Sequence, residues 1–90
     1  MREITETTQF RRDYKKIAAS GRYSRSEFLA VVGLLALDKL LPPKLRDHAL
    51  IGEWKGHREC HIRPDWLLIY QKPNKELVLV RTGSHSELFS

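Results

Sequence analysis

The chain has 90 residues, 41% of them hydrophobic and 30% charged, with 16 Lys and Arg against 11 Asp and Glu for a net charge of +5. That length makes one domain, residues 1–90, with a modest core, and the composition excludes a disordered polymer. One cysteine, Cys60, excludes an intramolecular disulfide, and the polar start MREITETTQF reads as no secretory leader, so the expected compartment is the cytoplasm.

Residues 2–7 are β-tolerant and predict a short first strand. Thr7 or Thr8 can then cap a helix running to about Ser20. In it Phe10, Tyr14, Ile17 and Ala18 form one apolar stripe, and Gly21 is placed to end it. Ser24 and Glu27 form an S-x-x-E capping box for a second helix. Its residues Phe28, Leu29, Val31, Val32, Leu34, Leu35 and Ala36 are apolar on more than one face, which predicts the most buried element. Pro42 and Pro43 stop it, because neither donates a backbone hydrogen bond. This apolar stretch, Phe28 to Leu41, is interrupted by Asp38 and Lys39 and is too short to span a bilayer, so no membrane partner is expected. After Lys44–His48 the pattern alternates. Leu50–Trp54, His57–Ile62, Trp66–Lys72 and Glu76–Thr82 read as four strands whose short connections dictate an antiparallel meander. The expected fold is α+β, with both helices packed on one face of the sheet.

Charge is not spread evenly. Arg11, Arg12, Lys15, Lys16, Arg22 and Arg25 face only Asp13 in residues 11–25, a stretch that holds the equivalent of the whole net charge. Such a patch favours phosphate-rich partners through counterion release, although a solvated helix face has the same composition.

All four histidines, His48, His57, His61 and His85, lie in the second half, and histidine is the side chain best suited to proton transfer near neutral pH. Strand parity puts His57, Glu59 and His61 on one face and Arg58, Cys60 and Ile62 on the other, core-facing one. His57 and His61 would stand about 13 Å apart, too far to share one metal ion. The segment lacks a C-x-x-C partner, so no metal or cofactor is expected. A core-facing Cys60 is an inert thiol rather than a nucleophile. Asp65 follows Pro64 in a turn, and Arg81 and His85 flank Thr82-Gly83-Ser84 at the end of the last strand. Trp66, Tyr70 and Phe89 read by default as core aromatics.

Three blocks bring these residues together: D-H-x-L-x-G-x-W-K-G from Asp47, H-x-x-P-D-W-x-L-I-Y from His61, and R-T-G-S-H-x-x-L-F from Arg81. In that order and spacing, with a basic Phe-containing first helix and a Leu-Pro-Pro link, the chain closely resembles the YafQ branch of the RelE/ParE toxin superfamily. The resemblance implies a ribosome-dependent endoribonuclease that cuts messenger RNA in the ribosomal A site. It also implies a cognate antitoxin, and a toxin–antitoxin complex that binds operator DNA. Carried over, the acid–base positions fall on His48, His61, Asp65 and His85, the phosphate-binding arginine on Arg81, and the aromatic beside the substrate on Phe89. Glu59 and Trp66 are secondary candidates. The basic residues of the first helix and the turn after it become the expected grip on ribosomal RNA. Two positions depart from the family: His57 stands where an aromatic is frequent, and Leu45 where a tyrosine is.

Two rivals fit the same scaffold. A ParE-like topoisomerase poison would not need the His48, His61, Asp65 and His85 set, and a non-catalytic nucleic-acid-binding module would not need every site position filled.

Overall fold

The computed structural model describes residues 1–89. Along the chain run β1 (Glu3–Glu6), α1 (Thr8–Ser20), α2 (Arg25–Ala36), β2 (His48–Ala49), β3 (Arg58–Arg63), β4 (Trp66–Gln71), β5 (Glu76–Gly83) and α3 (His85–Phe89), with single 3-10 turns at Pro43–Leu45 and Gly52–Trp54. The sheet order is β1-β5-β4-β3-β2. β1 pairs parallel with β5, and the other neighbours are antiparallel. The chain therefore leaves one sheet edge, crosses one face as two helices, re-enters at the opposite edge and meanders back to its starting strand.

Local chemistry sets the helix limits. Thr7 caps α1 by accepting the Phe10 N–H at 2.9 Å, and its hydroxyl donates to the Val80 carbonyl at 2.8 Å, so the cap also ties α1 to β5. Gly21, at φ +69°, ends α1 in the left-handed conformation that glycine adopts without a Cβ penalty. Ser24 caps α2 through the Glu27 N–H at 3.4 Å, but only half of the capping box forms. The Glu27 carboxylate binds Arg63 at 2.6 Å instead of reaching back. α2 also stops at Ala36, six residues before Pro42. Asp38 adopts φ +56°, with Asp38 N–H on the Leu35 carbonyl and Lys39 N–H on the Leu34 carbonyl, a Schellman ending with aspartate in the glycine place. Arg2 at 2.7 Å and Lys72 at 3.2 Å hold the Asp38 carboxylate there, and these bonds, Arg2 first, keep its pKa below the usual carboxylate range.

One face of the sheet carries Cys60, Ile62, Trp66, Leu68, Tyr70, Leu77 and Leu79, and onto it pack Phe10 and Ile17 of α1 and Phe28, Val31, Val32 and Leu35 of α2. Both helices lie on this face, as the pattern predicts. Ala18, expected in the stripe, is exposed. The most buried element is β4 rather than α2, because β4 is central in the sheet and covered on both sides, while Leu29 of α2 is 51% exposed. The opposite face has its own smaller cluster, Leu67, Ile69 and Leu88 with Leu50, Trp54, Val80 and Phe89.

One further expectation changes. Leu50–Trp54 is not a strand. After His48–Ala49 the chain makes one more cross-strand bond, Leu50 N–H to the His57 carbonyl, and Gly52 at φ +67° then turns it into the 3-10 turn. Trp54 thereby folds down onto the second face instead of extending along it. The C-terminal segment continues past β5 as a short helix. Ser84 and Glu87 form a complete capping box, Ser84 N–H on Glu87 Oε1 at 2.8 Å and Glu87 N–H on Ser84 Oγ at 3.2 Å, and this starts α3. A side chain at Gly83 would stand 3.2 Å from that Glu87 oxygen, so the glycine of the R-T-G-S-H block makes room for the box.

Candidate active site

The helix-free face of the sheet gathers most of the sequence-selected residues. Because β2 and β3 pair with His48 opposite Glu59, the His48 imidazole meets the Glu59 carboxylate, Nε2 to Oε2 at 3.1 Å. His61, two residues along β3 on the same face, brings its Nε2 to 3.9 Å from the same oxygen. Glu59 is 5% exposed, and its Oε1 is buried with no hydrogen-bond partner among the described residues. A buried carboxyl oxygen without a donor is costly to the fold.

The other ring nitrogens are fixed by backbone. His48 Nδ1 donates to the Arg46 carbonyl at 2.6 Å, and Arg46 takes φ +48° to offer it. His61 Nδ1 donates to the Pro64 carbonyl at 3.2 Å. Both nitrogens of His48 thus face oxygen atoms, the Arg46 carbonyl and the Glu59 carboxylate. A neutral His61 keeps its Nδ1 proton and leaves the Nε2 lone pair free to accept one. Asp47, the residue before His48, accepts from the buried Tyr70 hydroxyl and from Arg58 at 3.3 and 3.4 Å, and so pins the strand that carries His48. Burial, with Asp47 beside it, pushes the Tyr70 hydroxyl above its usual range.

The β3–β4 turn links this pair to the C-terminus. Asp65, next to Pro64, accepts the His85 backbone N–H at 3.1 Å, which sets the start of α3. The His85 ring is exposed and lies 5.1 Å from the Phe89 ring one turn on. Phe89 is 6.2 Å from Trp54, and Trp54 is 5.2 Å from His57, both edge to face. His48, Glu59, His61, Asp65, His85, Phe89, Trp54 and His57 therefore form a chain of neighbours bordering the face floored by Leu67, Ile69 and Leu88. Acid–base groups lie on one side and aromatic rings on the other.

Two expected residues lie elsewhere. Trp66 is fully buried on the helix side, its Nε1 on Thr82 Oγ1 at 2.9 Å and its ring stacked 4.5 Å from Tyr23, so it is a core residue and not a substrate contact. Arg81 is not drawn to the histidines. Its guanidinium meets Asp13 of α1, Nε to Oδ2 at 2.7 Å and Nη2 to Oδ1 at 3.2 Å, and these bonds raise its pKa further. Arg81 borders a cleft of about 390 Å³ with Gln9, Arg12, Asp13, Lys16, Ile17, Thr82 and Glu87. Of the basic set, Lys16 pairs with Glu87 at 3.2 Å, Arg25 and Arg22 lie over the Tyr14 and Tyr23 rings, and Arg11, Arg12 and Lys15 are exposed. Among the described residues no three His, Cys, Asp or Glu are arranged to hold a metal ion, and no helix is long and apolar enough to cross a membrane. Burial pushes the Cys60 thiol up to about 12, which leaves it unreactive. Sequence reasoning missed Trp54 and Asp13. The one signal for Asp13 was its being the sole acid in a basic stretch.

Comparison with known proteins places this chain in a class. Residues 2–90 match the family model described as "Bacterial toxin of type II toxin-antitoxin system, YafQ", so the class is that of the toxin halves of such pairs. The chain belongs to the YafQ family. It is 38% identical over 89 residues, 98% of this chain and 96% of the relative, to the mRNA interferase toxin YafQ of Escherichia coli. Among solved structures, a copper-bound variant of a Helicobacter pylori toxin matches with TM-score 0.94 and 42% identity, covering 99% of this chain and all of that one. YafQ in the E. coli DinJ–YafQ complex matches with TM-score 0.87 and 36% identity, with both chains covered completely.

Proposed function

We propose that this toxin is an endoribonuclease that cuts messenger RNA in the ribosomal A site by metal-independent acid–base catalysis and so arrests translation until a cognate antitoxin binds. The observation that carries the reading is the shared buried carboxylate: Glu59 between His48 and His61, with one oxygen unpartnered and one imidazole lone pair open. Cutting RNA without a metal needs a base for the 2′-OH proton, an acid for the leaving 5′-oxygen and a cation for the charge on the phosphorane. His61, with Asp65 beside its turn, serves as the base side. The 2′-oxygen attacks phosphorus, the bond to the 5′-oxygen breaks, and His85 gives that oxygen its proton. His48 and Glu59 hold His61 and set the local field, and Arg81 binds the scissile phosphate as a planar two-pronged donor. Phe89, Trp54 and His57 offer ring faces and edges to the bases, with His57 replacing a larger aromatic.

Arg11, Arg12 and Lys15, with Lys16, Arg22 and Arg25, dock ribosomal RNA, and docking aligns the 2′-OH for in-line attack, so isolated RNA is cut slowly. The antitoxin that neutralises this chain also carries the complex to operator DNA. The test is expression of His85→Ala and Arg81→Ala in cells lacking antitoxin. Both variants fold and both relieve growth arrest; arrest that persists with both folded variants overturns the residue assignment.

A further inference from the structure

Asp13 is built around Arg81 more completely than a surface ion pair requires. Its carboxylate, 11% exposed at the side chain, accepts four bonds: Arg81 Nε at 2.7 Å, Arg81 Nη2 at 3.2 Å, the Thr82 N–H at 3.2 Å and the Gln9 amide at 3.0 Å. The last two fix the carboxylate to the strand that carries Arg81 and to its own helix. A guanidinium has five N–H groups in a rigid plane. Asp13 takes the Nε–Nη2 edge, and no other hydrogen bond from Arg81 occurs among the described residues. The Nη1–Nη2 edge stays open, with the geometry that matches two phosphate oxygens. Arg81 also borders the cleft lined by Arg12, Asp13, Lys16 and Glu87, in which Asp13 pairs with Arg81 and Glu87 with Lys16 while Arg12 is exposed.

We infer that Asp13 is a positioning residue: it clamps one edge of Arg81 so that the other edge is presented to the scissile phosphate in a fixed orientation. The inference rests on the phosphate role given to Arg81 above. An unclamped arginine loses rotamer freedom when phosphate binds, and the clamp removes that loss before the substrate arrives. It also makes α1 the support for a residue that acts at the reacting group, so one helix serves both ribosome docking and phosphate orientation.

The test compares Asp13→Asn, Arg81→Ala and the double variant as whole folded toxins on translating ribosomes. Turnover and ribosome KM are measured separately, with melting temperature as the folding control. Asp13→Asn lowers kcat about 10- to 100-fold, the range for a lost bond to a charged group, and leaves KM within about twofold. The double variant is no slower than Arg81→Ala alone, because Asp13 acts only through Arg81. Asp13→Glu, which keeps the carboxylate, recovers part of the loss. The Arg81 Nε–H resonance, protected in the native protein, becomes fast-exchanging in Asp13→Asn. An Asp13→Asn enzyme at or above native turnover beside an inactive Arg81→Ala overturns the clamp alone. So does a double variant in which the two defects multiply. Arg81→Ala at native turnover overturns the phosphate role and the clamp with it.

Discussion

Glu59 is a buried carboxyl with one oxygen unpartnered among the described residues, an arrangement that costs the fold stability. Glu59→Gln is therefore expected to separate stability from activity. It replaces the buried, unpartnered carboxyl oxygen with an amide and raises the melting temperature by about 4–8 °C, for roughly 1 kcal/mol in a domain of this size. It also removes the carboxyl group that His48 and His61 share, and turnover falls about 100-fold. Thermal melts beside a cleavage assay check both signs, and a less stable, fully active variant contradicts the reading. Cys60, next along β3, is the opposite case. Buried and raised to about 12, it is expected to react with thiol reagents at pH 8 only after denaturation. Strand parity was enough to tell these neighbours apart, because one face of β3 is core. It did not show that Glu59 is buried too, since that depends on β2 and the loop after it folding over the second face.

At the scale of elements, α3 depends on Glu87. Hydrogen bonds from the Ser84 N–H and hydroxyl, then Lys16, lower the Glu87 pKa from 4.5 to about 2. A carboxylate depressed in the folded state stabilises fully above its unfolded value, and this stability is lost as pH falls from about 4.5 through about 2. The side chain is 41% exposed, so screening shrinks the gain well below what the shift alone suggests. The expected signature is local: protection of the 85–89 amides, relative to their intrinsic exchange rates, falls across that acid window before the sheet melts, and Glu87→Gln shows the lower protection already at neutral pH. Equal exchange in native and variant protein at neutral pH would contradict the capping role. α3 was not legible because Ser84-His85-Ser86-Glu87 carries a helix start with only five residues of helix behind it. The same limit hid β2, whose alternation continued through Leu50, Gly52 and Trp54 although Gly52 breaks the strand. By contrast α1, α2, β3, β4 and β5 were legible, because long periodic runs are bounded by real caps and turns. The parallel pairing of β1 with β5 was not, since it joins segments some 70 residues apart and follows only from the closed topology.

For the whole molecule, the exposed basic residues of α1 lie apart from the His48, Glu59 and His61 cluster. Arg11, Arg12 and Lys15 are exposed on α1, on the far side of the sheet from Glu59. Ribosome affinity is therefore expected to fall steeply with salt, log affinity declining linearly with log salt concentration, and reversing Arg11, Arg12 and Lys15 to Glu raises KM at least about tenfold with kcat little changed. A salt-independent KM would contradict docking through α1. The proposed acid–base residues stand out in the sequence mainly through three coordinated blocks, since single histidines in strands are uninformative. Its Asp13 partner was not, because it comes from the other half of the chain. The central claim, cleavage of translated messenger RNA by the helix-free face, is tested most directly by primer extension on a reporter transcript after induction. The account predicts cuts in phase with codons that vanish when translation is blocked and in the His85→Ala variant. Arrest with intact transcripts and damaged DNA, or cuts that persist without translation, would contradict it.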